Sequence, residues 1–195
     1  NLSSIDQKKF GTMAECLAGP LHKSGRGIAE VGIAVALSLL LAFFNLPILP
    51  NGGQISLDML PIVFLALMRG STYGIAAGFV YGCLHSLQEP FVVHPLQFLL
   101  DYPLAYAALG LAGLPFLRAH TFLAIISSVA VRFLCHTVSG VIFIDAFLGQ
   151  QNLPASPWLW AAGYNCTFLL PSALALCVII PPVKKAMQNY GIFTK

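Results

Sequence analysis

The chain has 195 residues, of which 57% are hydrophobic and only 9% are charged, and its formal net charge is +3. Soluble domains carry about 25% charged residues, so this composition excludes an ordinary soluble domain and indicates an integral membrane protein. Long apolar runs favour a helical bundle over a barrel, whose strands would alternate in polarity. The small positive charge gives no case for nucleic-acid binding, because the basic residues follow a membrane topology.

Taken in chain order, a polar segment precedes six apolar ones. Residues 1–27 are predicted to form a cytoplasmic tail, residues 28–183 the membrane domain, and residues 184–195 a basic cytoplasmic tail. A transmembrane helix needs about 20 apolar residues, and proline, glycine and polar residues separate the segments. We predict an all-α bundle of six transmembrane helices, over residues 28–49, 55–68, 72–87, 94–116, 122–147 and 158–183. Residues 47–53 are predicted to form a short flexible loop.

The basic residues predict the orientation in the membrane. Nine of the ten lie in the tails or in turns on the side that the two termini share, and the opposite loops hold Glu89 and Asp145 without Lys or Arg. Cytoplasmic loops carry an excess of Lys and Arg. Both termini are therefore predicted to be cytoplasmic in a multi-pass protein. Arg132 is the exception, because it lies within an apolar segment.

Small residues four positions apart form two stripes. Gly74, Gly78 and Gly82 lie on one face of the third predicted helix, where they allow close approach of a second helix inside the bundle. Gly32 and Ala36 form a similar stripe on the first helix. That second stripe fits internal packing and docking of another membrane subunit equally well. The five cysteines form no Cys-x-x-Cys pair and are read as packing residues, and no metal site is expected.

Polar residues inside apolar segments are the strongest functional signal. A carboxylate at the centre of a transmembrane helix costs about 2.5–3.5 kcal/mol. At ~1.5 Å per residue, Asp101 and Asn165 lie ~10 Å and His136 ~16 Å from the outer helix ends. Three helices thus bring polar side chains to similar depths. Aromatic residues flank them and complete a cavity that would open to the outside: Tyr102, Trp160 and Tyr164.

Each of these polar residues also has a structural interpretation. Asp101 can pair with Arg132, His136 can be a neutral core histidine, and Asn165 can bridge helices. Together they fit an aromatic, partly cationic ligand, because aromatic faces and a carboxylate both stabilise a cation. Catalytic motifs are absent from the sequence, although an intramembrane enzyme using Asp101 and His136 as acid and base stays an alternative. The polar residues do not cross the whole bilayer, as a channel would require.

Four motifs carry a resemblance to a known family. They are ISLDMLP (55–61), HPLQFLLDY (94–102), RFLCHTVSGVIF (132–143) and WAAGYNCTFLLPS (160–172). In this combination and order the chain resembles the thiamine-specific S component of energy-coupling factor transporters. The resemblance implies a non-enzymatic subunit without a cofactor, in the lipid of a prokaryotic plasma membrane, that captures thiamine outside. It also implies partners: a scaffold transmembrane subunit and two ATPase subunits.

The same resemblance implies roles for the polar residues. Asp101 would bind the aminopyrimidine near the thiazolium, and Asn165 would hydrogen-bond the pyrimidine. His136 would lie against the thiazolium. Tyr102 would reach the hydroxyethyl end, with the backbone of Gly140 nearby.

The aromatic wall departs from the family pattern. Trp160 stands where a Tyr is usual, beside Tyr164, so stacking or an indole N–H replaces a phenolic hydrogen bond. Gly52 and Ile144 stand where some members have a stacking Trp. A related pyrimidine or thiazole precursor is therefore an alternative ligand.

Overall fold

The structure is a computed structural model that describes residues 25–47, 53–88, 91–149 and 153–189. It is mostly helical, as the composition predicts. Nearly all of the predicted N-terminal tail, Gly52 and the end of the C-terminal tail lie outside the described residues. The elements are α1 Gly25–Ala42, β1 Leu46–Pro47, β2 Gln54–Ile55, α2 Met59–Arg69, α3 Ser71–Gln88, α4 Pro95–Asp101, α5 Pro103–Ala108, a 3₁₀ helix Leu109–Gly113, α6 Pro115–Arg118, α7 Thr121–Ile142, α8 Ile144–Leu148 and α9 Pro157–Asn189.

Three helices of the described chain are long and apolar enough to cross a membrane: α1, α7 and α9. The shorter α2 is also apolar. Large apolar side chains cover the outer surface of α9, where Leu174 is 66% and Val178 is 72% exposed. In a membrane such side chains face lipid. These features fit an integral membrane protein.

The segment predicted as a fourth continuous helix is broken, so that prediction is wrong. Helix α4 ends at Asp101, Tyr102 adopts φ −110° and ψ −86°, and α5 begins at Pro103. Proline has no N–H to continue a helix, and its ring clashes with the preceding turn. The break places Asp101 at the carboxyl end of α4.

The described parts of the connection after α1 include two short paired strands. Helix α1 ends at Ala42, and β1 pairs with β2 in an antiparallel register that joins Leu46 to Ile55. Two hydrogen bonds tie the β2 side of this hairpin to α9: Gly53 N donates to the Tyr164 hydroxyl (3.1 Å) and Ser56 N donates to Ser172 Oγ (3.1 Å). Of the loop predicted at residues 47–53, the structure describes only the two ends: Pro47 pairs with Gln54, and Gly53 donates to Tyr164.

The glycine stripe on α3 packs inside the bundle, as predicted. A Cβ added at Gly82 would lie 2.5 Å from the Tyr102 carbonyl oxygen, and one at Gly78 would overlap the Tyr106 carbonyl. Gly74 meets Gly110 in the same way. The absence of side chains lets the backbone of α3 contact α5 and the 3₁₀ helix directly.

Basic side chains meet at one end of the molecule. Arg118 donates two hydrogen bonds to carbonyls at the end of α2, and Lys184 donates to the Arg118 carbonyl at 2.9 Å. Arg69 pairs with Glu30 of α1 at the same end. Helix α9 continues past Lys184 to Asn189, beyond the predicted end at residue 183.

Candidate functional site

One cavity of about 450 Å³ lies at the end of the bundle opposite these basic residues. Its walls come from the α1–α2 connection, the end of α3, the α4–α5 break, α7 and α9. All seven residues predicted to bind substrate lie in these walls: Asp101, Tyr102, His136, Gly140, Trp160, Tyr164 and Asn165. Their contact with a ligand stays a prediction.

Asp101 is the acceptor at the centre of a hydrogen-bond network. Its Oδ2 accepts from Gln97 Nε2 at 2.7 Å and from Ser139 Oγ at 2.8 Å, and its Oδ1 lies 3.0 Å from His136 Nδ1. Gln97 also donates to the Phe91 carbonyl, which connects the network to the residues just before α4. The side chain stays 15% exposed. A buried carboxylate is stabilised by such donors, and this one keeps access to the cavity.

The structural interpretation of Asp101 as a direct partner of Arg132 is wrong. Arg132 Nε donates instead to His136 Nε2 at 3.3 Å, so the imidazole lies between the guanidinium and the carboxylate. The guanidinium carbon of Arg132 lies 3.8 Å from the centroid of the Tyr106 ring. Its Nη1 is buried and has no hydrogen-bond partner among the described residues. The cavity wall therefore holds a cation that donates to an imidazole and lies over an aromatic face.

A second carboxylate, Asp58, was missed by the sequence reasoning. It is fully buried at the start of α2, lines the cavity, and accepts hydrogen bonds from Tyr81 and Tyr106 at 2.6 Å each and from Ser56. Three hydroxyl donors satisfy most of its acceptor positions. Tyr106 joins the two charges, because its hydroxyl contacts Asp58 and its ring contacts Arg132. The only sequence feature that could have revealed Asp58 is its position directly before an apolar run, and a carboxylate in that position is also common in an ordinary turn.

Aromatic rings form the wall provided by α9. The rings of Trp160 and Tyr164 stack with centroids 5.3 Å apart at 22°, and Phe168 meets Tyr164 edge to face. Phe91 and Phe147 stack in the same way across the cavity lining, at 5.4 Å and 21°. Flat apolar faces of this kind suit a planar heterocycle. Ile144, at one predicted Trp position, is buried and is not part of the lining described.

Asn165 and Gly140 complete the polar part of the wall. Asn165 is 5% exposed, and its Nδ2 donates to the Ala161 carbonyl at 2.9 Å. Its carboxamide oxygen accepts no hydrogen bond from the described residues, so it is available to a donor in the cavity. A Cβ added at Gly140 would lie 3.1 Å from Ala161 Cβ, so glycine here allows α7 and α9 to approach.

The two residues predicted to dock a partner lie on the outside of the bundle. Gly32 and Ala36 are both exposed on α1, and nothing lies within 4 Å of a Cβ added at Gly32. Internal packing, one of the two interpretations of this stripe, therefore does not apply among the residues that the structure describes. Among the residues that the structure describes, no group of three or more metal-ligating side chains is present.

Comparisons with known proteins relate the whole membrane domain to one family. The family model described as thiamine transporter protein (Thia_YuaJ) matches residues 28–190. The chain is 26% identical over 183 residues to the thiamine transporter ThiT of Bacillus subtilis (strain 168), covering 83% of this chain and 94% of that protein. It is 28% identical over 177 residues to ThiT of Lacticaseibacillus paracasei, covering 82% and 87% respectively. A solved structure of ThiT from Listeria monocytogenes matches the fold with a TM-score of 0.72 at 24% identity, over 84% of this chain and 95% of that one.

Proposed function

Because the chain belongs to the thiamine transporter protein family, we propose that it is a membrane-embedded subunit that binds thiamine from the outside for uptake. The observation that carries this proposal is the cavity of about 450 Å³ between Asp101, His136, Asn165 and the Trp160–Tyr164 stack. Thiamine combines an aminopyrimidine with a thiazolium cation and a hydroxyethyl arm. Each of these groups has complementary chemistry in the wall.

Charge complementarity supports a cationic ligand. The described lining holds two carboxylates, Asp58 and Asp101, and one guanidinium, Arg132. Both carboxylates only accept hydrogen bonds from their described partners, as ionised groups do. One negative charge is therefore in excess. A thiazolium carries one positive charge, and in a cavity largely removed from water the attraction is much stronger than in bulk solvent.

The wall suggests a division of roles for the ligand groups. Asp101 would accept from the amino group of the pyrimidine, and Asn165 would pair with its heterocycle edge. The Trp160–Tyr164 stack offers aromatic faces. His136 would lie against the thiazolium, and Tyr102, with the Gly140 backbone, would reach the hydroxyethyl arm.

We infer six membrane-crossing units and an outward-facing cavity. The units are α1, α2, α3, the broken segment from α4 to α6, α7 and α9, so the two ends of the described chain lie on one side. The end that gathers Arg69, Arg118 and Lys184 would be cytoplasmic by the positive-inside rule. The cavity lies at the other end, which places it toward the outside of the cell membrane.

Energy for uptake would come from partner subunits. The proposed partners are a scaffold transmembrane subunit and two ATPase subunits of an energy-coupling factor transporter. Gly32 and Ala36 offer the scaffold a smooth surface on α1, since small residues let helix backbones approach closely.

Native mass spectrometry of the purified protein tests the ligand assignment. Protein expressed in cells fed thiamine should carry one added mass equal to that of thiamine, released unchanged on unfolding. A bound pyrimidine or thiazole fragment would assign the cavity to a precursor. Recovery of a chemically altered product would favour the enzyme hypothesis that uses Asp101 and His136.

A further inference from the structure

His136 bridges two groups that constrain which of its ring nitrogens carries a proton. Arg132 Nε can only donate a hydrogen bond, and it points at His136 Nε2 at 3.3 Å. Nε2 must therefore present a lone pair. The proton of the neutral ring then lies on Nδ1, which is 3.0 Å from Asp101 Oδ1. Histidine tautomers are commonly set in this way by the hydrogen bond at the second nitrogen.

We propose that Arg132 is a positioning residue for ligand binding: it holds His136 in the neutral tautomer that donates from Nδ1 to Asp101. This inference rests on the proposed function in one respect, namely that Asp101 contacts thiamine. The tautomer itself follows from the protein alone. Arg132 would thus act on the ligand through His136 and Asp101, without a contact of its own.

The consequence for Asp101 is a single open acceptor position. A carboxylate offers about four lone-pair positions, and Gln97, Ser139 and His136 fill three of them. The remaining position is on Oδ1 and matches one N–H of an aminopyrimidine. If His136 turned its lone pair to Asp101, two acceptors would face each other, and the network would have to rearrange.

The charges around His136 come from three elements. Asp101 on α4 and Arg132 on its own helix contact the ring directly, and Asp58 at the start of α2 adds a more distant negative charge. From α9, the ring of Phe168 meets the imidazole edge to face, without a charge. A proton added to His136 Nε2 would point at the N–H of Arg132, so that two donors would face each other. Arg132 therefore also opposes charging of His136, which would place a second cation beside the thiazolium.

A charge-balanced double variant separates positioning from structural support. Arg132→Met alone leaves Asp58 buried without its cation, which by itself can unfold the protein. Arg132→Met with Asp58→Asn removes both charges and keeps one net negative charge in the cavity. Wild type is the reference, because it has the same net charge in the cavity and keeps the Arg132–His136 hydrogen bond. In protein labelled with ¹⁵N-histidine, NMR spectra that use the two-bond ¹⁵N–¹H couplings report which ring nitrogen carries the proton. The signals of His136 are identified as those that disappear in a His136→Asn variant.

Wild type should show the Nδ1–H tautomer of His136 without ligand, and the double variant should show Nε2–H or a mixture. The double variant should also bind thiamine about tenfold to a hundredfold more weakly than wild type, the size of a lost hydrogen bond to a charged group. Its affinity should fall further between about pH 8 and pH 5.5, as His136 charges, while wild-type affinity stays constant.

An unchanged tautomer in the double variant would overturn the proposal. So would a changed tautomer with wild-type affinity. If wild type shows the Nδ1–H tautomer but binds no thiamine, the proposed function fails and the role of Arg132 in ligand binding fails with it. If wild type binds thiamine with the Nε2–H tautomer, only the positioning role fails.

Discussion

His136 Nδ1 lies 3.0 Å from Asp101 Oδ1, so the carboxylate in the cavity wall pairs with an imidazole from α7. Arg132 lies on the other side of that imidazole and is supported by the ring of Tyr106. The cavity-facing carboxylate is therefore hydrogen-bonded without a direct ion pair to Arg132. Its charge remains available to a cationic ligand.

Replacing Asp101 by Asn should weaken thiamine binding by about one to two orders of magnitude. The change keeps the size of the side chain but removes the charge and turns one acceptor into a donor. A hydrogen bond to a charged group contributes about 1.5–3 kcal/mol. Calorimetric titration of the folded variant measures the effect.

Asp145→Asn is the matched control for this experiment. Asp145 is exposed on α8 and lies outside the described cavity lining, so the same chemical change there should leave the dissociation constant unchanged. An Asp101→Asn protein that binds thiamine as tightly as the control would remove Asp101 from the binding site.

Replacing Gly78 by Ala should destabilise the bundle by about 1–3 kcal/mol, the usual cost of overpacking. The added Cβ would overlap the backbone carbonyl of Tyr106, which cannot move as a side-chain tip can. Gly163→Ala on α9 is the control, because nothing lies within 4 Å of its added Cβ. Thermal unfolding in detergent compares them, and equal melting temperatures would refute the close α3–α5 contact.

Replacing Gly32 and Ala36 together by Leu should abolish uptake in cells while the solitary protein still binds thiamine. Both positions are exposed on α1, so leucine there disturbs no contact within the described chain. Ala130→Leu, at an exposed position of α7, controls for added bulk on the outer surface. Uptake of labelled thiamine in whole cells is the measurement. Normal uptake by the double variant would show that this face docks no partner.

Single cysteines should report opposite sides of the membrane. In a background without the five native cysteines, an impermeant maleimide added to intact cells should label Leu153→Cys and spare Lys185→Cys. Both positions are exposed, and they lie near opposite ends of α9. Permeabilised cells should label both. The reverse pattern in intact cells would invert the topology and turn the cavity toward the cytoplasm.

The part of the site that could be predicted consists of polar residues inside apolar segments. Asp101, His136 and Asn165 each interrupt a hydrophobic run, and counting the helical rise placed them at similar depth. The structure brings all three to one cavity. Gln97 and Ser139, which donate hydrogen bonds to Asp101, were not predicted, because Gln97 lies near the start of the predicted fourth helix and Ser139 is a small residue of the kind that packs helices together.

The part that could not be predicted depends on contacts between distant positions. Asp58 lies at the edge of an apolar run, where a carboxylate needs no special explanation, and its donors Tyr81 and Tyr106 are 23 and 48 residues away. The break before Pro103 was visible as a proline. However, α9 continues through Pro171, Pro181 and Pro182, so proline alone does not decide where a membrane helix ends. Neighbouring helices decide it by satisfying the freed backbone groups.

Titration of thiamine into the solitary Trp158→Phe protein, followed by tryptophan fluorescence, tests the central claim most directly. The chain has two tryptophans. Trp158 is exposed, so its replacement leaves Trp160, which lines the cavity, as the single reporter. We expect a saturable change in fluorescence that ends at one thiamine per chain. Fluorescence that does not respond up to about millimolar thiamine, where binding would be worth only about 4 kcal/mol, would contradict thiamine binding in this cavity.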